Sequence, residues 1–151
     1  MEKPETVKHA ALMWTIAIVA GMIETVLAVS EVARESGIDD GVWLNVGVRS
    51  FVYIGAFVLV AFFAAGRRWA RWSLAALLSV VGLASLLVEP VGLLADGESL
   101  MTAFGGDGDF TIAFFSARML HIAAVLVATA LMFSPPANRY FAGRRPEPAS
   151  A

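Results

Sequence analysis

The 151-residue sequence contains no cysteine, and this absence excludes several kinds of chemistry. Disulfide frameworks, thiolate metal sites, c-type haem attachment and thiol redox catalysis all require cysteine. Histidine is almost as scarce, with only His9 and His121 in the whole chain, so a histidine metal site is not expected. The Ser-His-Asp, HExxH and GxSxG patterns of known enzymes are missing too. The sequence therefore predicts no catalytic residue, no metal and no cofactor.

Charged residues are also few, at 16% of the chain, whereas 58% of the residues are hydrophobic and the mean hydropathy is +0.73. Soluble domains are about 45–50% apolar. A soluble protein of this size could not bury so much apolar surface, because small domains keep a large surface relative to their volume. The composition thus predicts a protein that has lipid as its solvent.

Four apolar runs account for most of the sequence, at residues 10–29, 46–65, 69–95 and 110–133. Twenty helical residues at about 1.5 Å each match a hydrocarbon core of about 30 Å. The predicted fold is all-α, a polytopic membrane protein with an antiparallel bundle of four transmembrane helices in one domain, 1–137. The Pro- and Arg-rich segment 138–151 is predicted to be a disordered cytoplasmic tail.

The distribution of charge predicts the orientation. Most basic residues precede the first run, separate the second from the third, or follow the fourth, and acidic residues dominate the other two connections. The positive-inside rule then places both termini in the cytoplasm of a multi-pass plasma-membrane protein. Arginine and tryptophan alternate after the second run, at Arg67, Arg68, Trp69, Arg71 and Trp72. These residues are expected to lie in the lipid headgroup layer, where they attract anionic lipid or act only as a topology signal and anchor.

The two acidic connections, 30–45 and 96–109, are longer and polar. The segment 105–109 has the glycines and aspartates of a calcium-binding loop. It lacks the spacing and the bidentate glutamate of an EF-hand, so a flexible acidic loop is the preferred interpretation.

Five ionisable residues lie within or at the edge of the apolar runs, all towards the predicted outer half of the membrane: Glu24, Arg49, Glu89, Arg118 and His121. Charged groups in lipid are costly and are expected to face the bundle interior and to pair. Matching depth suggests that Glu24 pairs with Arg118 and Glu89 with Arg49, although the partners could be exchanged. This polar cluster either holds the bundle together or forms a pocket in which an acid binds a cation or proton and His121 relays a proton.

Three short segments resemble those of small four-helix membrane proteins common in actinobacteria. Gly66–Trp72 resembles their GRxWAR turn, residues 7–14 are similar to their approach to the first helix, and residues 135–141 are similar to their Pro-x-x-Asn-x-Tyr-Phe ending. The resemblance implies the four-helix topology and lends no activity. The acidic connections and the set of Glu24, Glu89 and Arg118 have no counterpart that can be matched to that family.

The leading functional hypothesis is a non-enzymatic accessory or interaction subunit in the plasma membrane. Its expected partners are the lipid bilayer and a second membrane protein or another copy of the chain, with no nucleic acid. One alternative is a small oligomeric transporter or an ion- or proton-coupled channel that uses Glu24 and Glu89. A further alternative is a membrane enzyme at the outer face, with Glu24, Glu89 and His121 as acid and base groups.

Overall fold

The computed structural model describes residues 2–143, and the regular structure in that range is entirely helical. The helices are α1 (Glu5–Glu35), α2 (Asp40–Ala64), α3 (Arg68–Ala95), α4 (Leu100–Gly105), α5 (Thr111–Met132) and α6 (Pro135–Gly143). Four of them, α1, α2, α3 and α5, are long and apolar enough to cross a membrane, with mean hydropathies of 1.8 to 2.1 over their most apolar windows. The all-helical class and the four candidate membrane spans are thereby confirmed.

The first acidic connection is much shorter than the sequence predicts. Helix α1 continues to Glu35 and α2 already begins at Asp40, so only residues 36–39 separate them. The side chain of Asp39 accepts a hydrogen bond of 2.9 Å from the amide of Val42 and so caps the first turn of α2. An N-cap aspartate satisfies one of the amides that a helix start leaves free, which explains why α2 extends so far beyond its apolar run.

The second acidic connection contains the short helix α4, capped by Ser99, whose hydroxyl accepts from the amide of Thr102. Ala103, Phe104 and Gly105 are buried against α5. A Cβ at Gly105 would lie 2.6 Å from the carbonyl oxygen of Thr111, so only glycine fits there. The prediction of a flexible loop over 105–109 is wrong at Gly105, since burial and close packing hold it in place.

The predicted disordered tail also needs correction, because α6 covers Pro135–Gly143. Proline suits the first turn of a helix, where its missing N–H would have no partner. Tyr140 and Phe141 are fully buried, and Phe141 stacks on Phe63 with 5.4 Å between the ring centroids. Residues 138–143 are thus helical, and the remainder of the predicted tail, 144–151, lies outside the described residues.

Helix α3 is irregular along its length. It is α-helical over Arg68–Leu74, π-helical over Ala75–Gly82 and α-helical again over Leu83–Ala95, where Pro90 removes one backbone hydrogen bond. Close packing between α2 and α3 is confined to Arg68–Leu74, directly after the turn that joins them. Past that point the two helices leave a gap.

The best-packed part of the core lies where α6 meets the long helices. Its fully buried members include Val7, Trp14, Phe63, Leu74, Met132 and Phe141. Arg71 joins this core, at 8% exposure, with its guanidinium 4.5 Å from the Phe133 ring and 5.1 Å from the Phe141 ring. It also donates a hydrogen bond to the side-chain oxygen of Asn138. Arg67, Arg68, Trp69 and Trp72 are exposed, but Arg71 is enclosed by protein and so is not available to a lipid headgroup.

Candidate functional site

A buried glutamate joins α1 to α5. Glu24 is 5% exposed, and its two carboxylate oxygens have different partners. Oε2 accepts from Nε of Arg118 at 3.3 Å, and Oε1 lies 2.8 Å from Nδ1 of His121. Arg118 and His121 are three residues apart on α5 and therefore share one face of that helix. The structure forms the predicted Glu24–Arg118 pair and adds His121 to it; these three residues are called the Glu24 cluster below.

Gly21, one turn before Glu24, lets three helices approach closely. A Cβ at this position would lie 3.0 Å from Cε1 of His121 and 3.3 Å from a ring carbon of Tyr53. The Tyr53 hydroxyl lies 2.7 Å from the Gly21 carbonyl oxygen, to which it donates, and 2.7 Å from the hydroxyl of Thr25. Small residues at helix contacts in membranes allow such close backbone approach. Gly21 thus brings the rings of α2 and α5 against α1.

The predicted pair of Arg49 and Glu89 is wrong. Nε of Arg49 donates to Asn45 at 2.8 Å, and a second guanidinium nitrogen lies 3.5 Å from the Thr25 hydroxyl. Among residues 2–143, neither Arg49 nor Glu89 has an ion-pair partner. The reason is the gap between α2 and α3, which separates two side chains that lie at a similar distance along their helices.

Glu24 and His121 form part of the wall of a cavity of about 210 Å³ between α1, α2, α3 and α5, called the central cavity below. Most of its lining is apolar, with side chains such as Ile18, Val52, Leu78 and Val125. Its polar members include Glu24, Arg49, Tyr53, Ser85 and His121. The π-helical part of α3 contributes Leu78 and Gly82 to the wall, so the irregularity of that helix lies beside the cavity.

Trp14 also lines the central cavity. Its ring is fully buried, and its indole Nε1 has no hydrogen-bond partner among the described residues. A sequence signal for this position exists, because Trp14, Ala17, Gly21 and Glu24 recur every three or four residues and so share one helix face. Tyr53 and Gly21 also belong to the site. Neither is charged, so the search for ionisable residues in the apolar runs could not identify them.

His121 lies close to the middle of its helix. Ten residues separate it from Thr111 and eleven from Met132, which puts it about 15 Å from each end of α5. The cavity wall therefore presents an imidazole at mid-helix.

Glu24 and His121 share a hydrogen bond in the wall of the cavity. With the carboxylate ionised, its Oε1 accepts from Nδ1–H of the neutral imidazole, and Nε2 stays available as an acceptor. When the imidazole is protonated, the same contact is an ion pair. Among residues 2–143, no set of three or more histidine and acidic side chains is placed to hold a metal ion.

Comparison with known proteins adds no relative. No protein-family model matches the chain, and no curated protein and no solved structure is significantly similar to it. The resemblance to small actinobacterial membrane proteins therefore stays a prediction.

Proposed function

We propose that the chain is a multi-pass protein of the plasma membrane, an antiparallel bundle with both termini in the cytoplasm. The contacts between α1 and α5 support the antiparallel arrangement. Glu24 meets Arg118 of α5, and ten residues further along α1 Arg34 meets Asp109, just before α5 begins, at 2.9 Å. Rising residue numbers along α1 thus meet falling numbers towards the start of α5. The basic turn at Arg67 and Arg68 supports the orientation through the positive-inside rule.

We further propose that this protein is non-enzymatic and binds a small molecule from the lipid phase in the central cavity. The carrying observation is a cavity of about 210 Å³ with a mostly apolar wall and a few polar groups. Binding sites for small molecules have this composition, because apolar surface supplies affinity and a few polar groups fix orientation. The accessory role predicted from the sequence then takes a concrete form, in which the protein holds a ligand for a partner in the membrane or for another copy of the chain.

The gap between α2 and α3 supports entry from the lipid. Val48 and Val52 of α2 line the cavity and are 57% and 51% exposed, and Ser85 on the facing side of α3 is exposed as well. A molecule dissolved in the bilayer reaches this gap without crossing the headgroup layer. The apolar side chains of Val48 and Val52 at this gap also favour entry from the lipid.

A hydrogen-bonding group in the cavity wall indicates the ligand class. The guanidinium of Arg49 has no counter-ion among the described residues. It only donates hydrogen bonds. The volume exceeds that of an engineered apolar cavity of about 150 Å³ that binds benzene. A ring or short branched body carrying an acceptor oxygen, such as a carbonyl or carboxylate, fits these constraints.

A proton-coupled transporter is the second candidate. The observation that favours it is the Glu24–His121 contact in the wall of the same cavity, since a change in its protonation alters the charge that a bound molecule meets. Ligand binding is the preferred proposal, because transport would require a second conformation of the protein and binding does not.

Fluorescence of Trp14 tests the binding proposal. Replacing the exposed Trp43, Trp69 and Trp72 by Phe leaves Trp14 as the single tryptophan. In lipid nanodiscs, 4-bromobenzoate is expected to quench Trp14 saturably, because bromine bound in the cavity contacts the ring. Ala56→Phe, which fills the cavity wall, should abolish the saturable part, and Ala123→Phe on the exposed face of α5 should preserve it. Quenching that rises linearly and equally in all three proteins would refute binding in the cavity.

A further inference from the structure

Two smaller cavities continue from the Glu24 cluster towards the acidic connections. The outer cavity, of about 180 Å³, is lined by residues that include Glu31, Glu35, Asp107 and Asp109. The middle cavity, also of about 180 Å³, is lined by residues that include Glu31, Glu89, Phe114 and Arg118. Both are distinct from the central cavity and neither is used in the proposed ligand site.

Ionisable side chains stand where one cavity meets the next. Glu31 lines both the outer and the middle cavity, and its Oε1 is buried with no hydrogen-bond partner among the described residues. Arg118 lines the middle cavity and binds Glu24, which lines the central cavity. The outer and middle cavities thus share Glu31, and the Glu24–Arg118 pair stands between the middle and central cavities; the three are called the series below.

The series carries an excess of negative charge. In the outer cavity four carboxylates accompany one base, Arg34, and in the middle cavity Glu31 and Glu89 accompany Arg118. Glu89 has no ion-pair partner in residues 2–143. A cleft lined by one sign of charge raises the local concentration of the opposite charge, here of protons and other cations.

Beyond the central cavity the series ends. Trp14, Phe63, Leu74 and Met132 are each 0% exposed and, with their neighbours, fill the bundle on the side of α6. Polar side chains thus line the cavities between the Glu24 cluster and the acidic connections, and packed apolar side chains lie on its other side.

We propose that this series is a proton-access path, which delivers protons from the acidic end of the bundle to the Glu24–His121 pair. Glu31 and Glu89 are its relay carboxylates. The charged and titratable groups around the pair are Arg118 on α5, Arg49 and Tyr53 on α2, and Glu89 on α3 at the far side of Arg118. The proposed path does not require a ligand in the central cavity. The following experiments therefore test the path even if no ligand binds there.

Water access is tested with single cysteines, for which the cysteine-free chain is already a clean background. Glu89 and the adjacent Val88 are both exposed, but only Glu89 lines the middle cavity, so Val88→Cys is the matched control for Glu89→Cys at nearly the same position along the helix. A cationic methanethiosulfonate requires a hydrated thiolate. In proteoliposomes, Glu89→Cys should react at least tenfold faster than Val88→Cys. Equal rates would overturn the path, since they would reflect depth alone.

A second pair of single-cysteine variants is included in case the Glu89→Cys protein misfolds. Phe114→Cys lies in the middle cavity and Ala113→Cys next to it is exposed, and the same tenfold difference is expected. If neither cavity position reacts faster than its neighbour, the cavities hold no connected water and the proposal is refuted.

Proton delivery is tested at His121 itself. With His9→Gln, the only remaining imidazole gives one set of ¹⁵N signals in nanodiscs. The Glu31→Gln/Glu89→Gln protein should exchange the imidazole proton with water at least tenfold more slowly, and Asp96→Asn, an exposed acid outside the path, should leave the rate unchanged. Unchanged exchange in the double variant would show that protons reach His121 by another route, and a purely structural role of the two acids would not slow it.

Discussion

Oε1 of Glu24 lies 2.8 Å from Nδ1 of His121, although 97 positions separate the two residues in the sequence. The second oxygen of the same carboxylate binds Arg118, so one buried acid links α1 to two consecutive turns of α5. Such a group is costly in isolation and acceptable only when its partners are present. The interface of α1 with α5 should therefore depend on all three side chains together.

The first prediction concerns the ion pair. Glu24→Gln leaves Arg118 without its carboxylate, and removing one partner of a buried pair costs about 3–5 kcal/mol. The midpoint of thermal unfolding in detergent should fall, and Arg118→Gln should lower it as well. The exchange of both residues, Glu24→Arg with Arg118→Glu, should recover part of the loss. An exchange variant as unstable as the sum of the two single changes would contradict a pairing role.

The second prediction concerns the close contact at Gly21. Gly21→Ala forces its methyl group against His121 and Tyr53, and overpacking of this kind costs about 1–3 kcal/mol. Gly55→Ala is the control, because a Cβ there meets nothing within 4 Å, and alanine in a helix is favoured over glycine by about 0.5–1 kcal/mol. The two variants should shift the unfolding midpoint in opposite directions. A Gly21→Ala protein as stable as the parent would show that the three helices are not in tight contact at this point.

The third prediction concerns α6. Phe141 is 1% exposed and stacks on Phe63, so Phe141→Ala should destabilise the protein by about 3–5 kcal/mol. Arg139→Ala, two residues away and exposed, should change the unfolding midpoint little. Limited proteolysis should cleave the Phe141→Ala protein faster between residues 135 and 143. Equal cleavage of both variants would argue that this helix does not dock on the bundle.

The fourth prediction concerns orientation. Cysteines at Asp39 and Asp107 should react with a membrane-impermeant thiol reagent in intact cells, and a cysteine at Arg67 should react only after the membrane is permeabilised. The reason is the positive-inside rule, which keeps the basic turn in the cytoplasm. The reverse labelling pattern would invert the proposed topology.

Depth along a helix was enough to anticipate part of the candidate site. Glu24 and Arg118 lie at matching depth in their apolar runs, and the structure brings them together. The same reasoning failed for Arg49 and Glu89, because depth gives only the position along the bundle axis. Which helices touch, and how far each is rotated, depends on packing, and here α2 and α3 separate beyond Leu74.

The sequence did not predict the two short helices α4 and α6, and the physical reason is the same for both. α4 and α6 are too short to show a long apolar run, and their residues include glycine, proline and polar side chains. Short helices are unstable alone and form because a neighbouring surface buries a few of their residues. In α4, the buried residues are Ala103 and Phe104, which pack against α5. In α6, they are Tyr140 and Phe141, which pack into the core beside Arg71.

The sequence by itself determined the number of apolar helices and where the apolar part of each lies. That information is local, since about 20 apolar residues and their capping or charged neighbours suffice to match a bilayer. Only the tertiary structure decided that His121 joins Glu24, that Trp14 and Tyr53 line a common cavity, and that Glu31 stands between two further cavities. These relationships require residues far apart in the chain to meet, and their meeting is decided by the rotation and packing of whole helices.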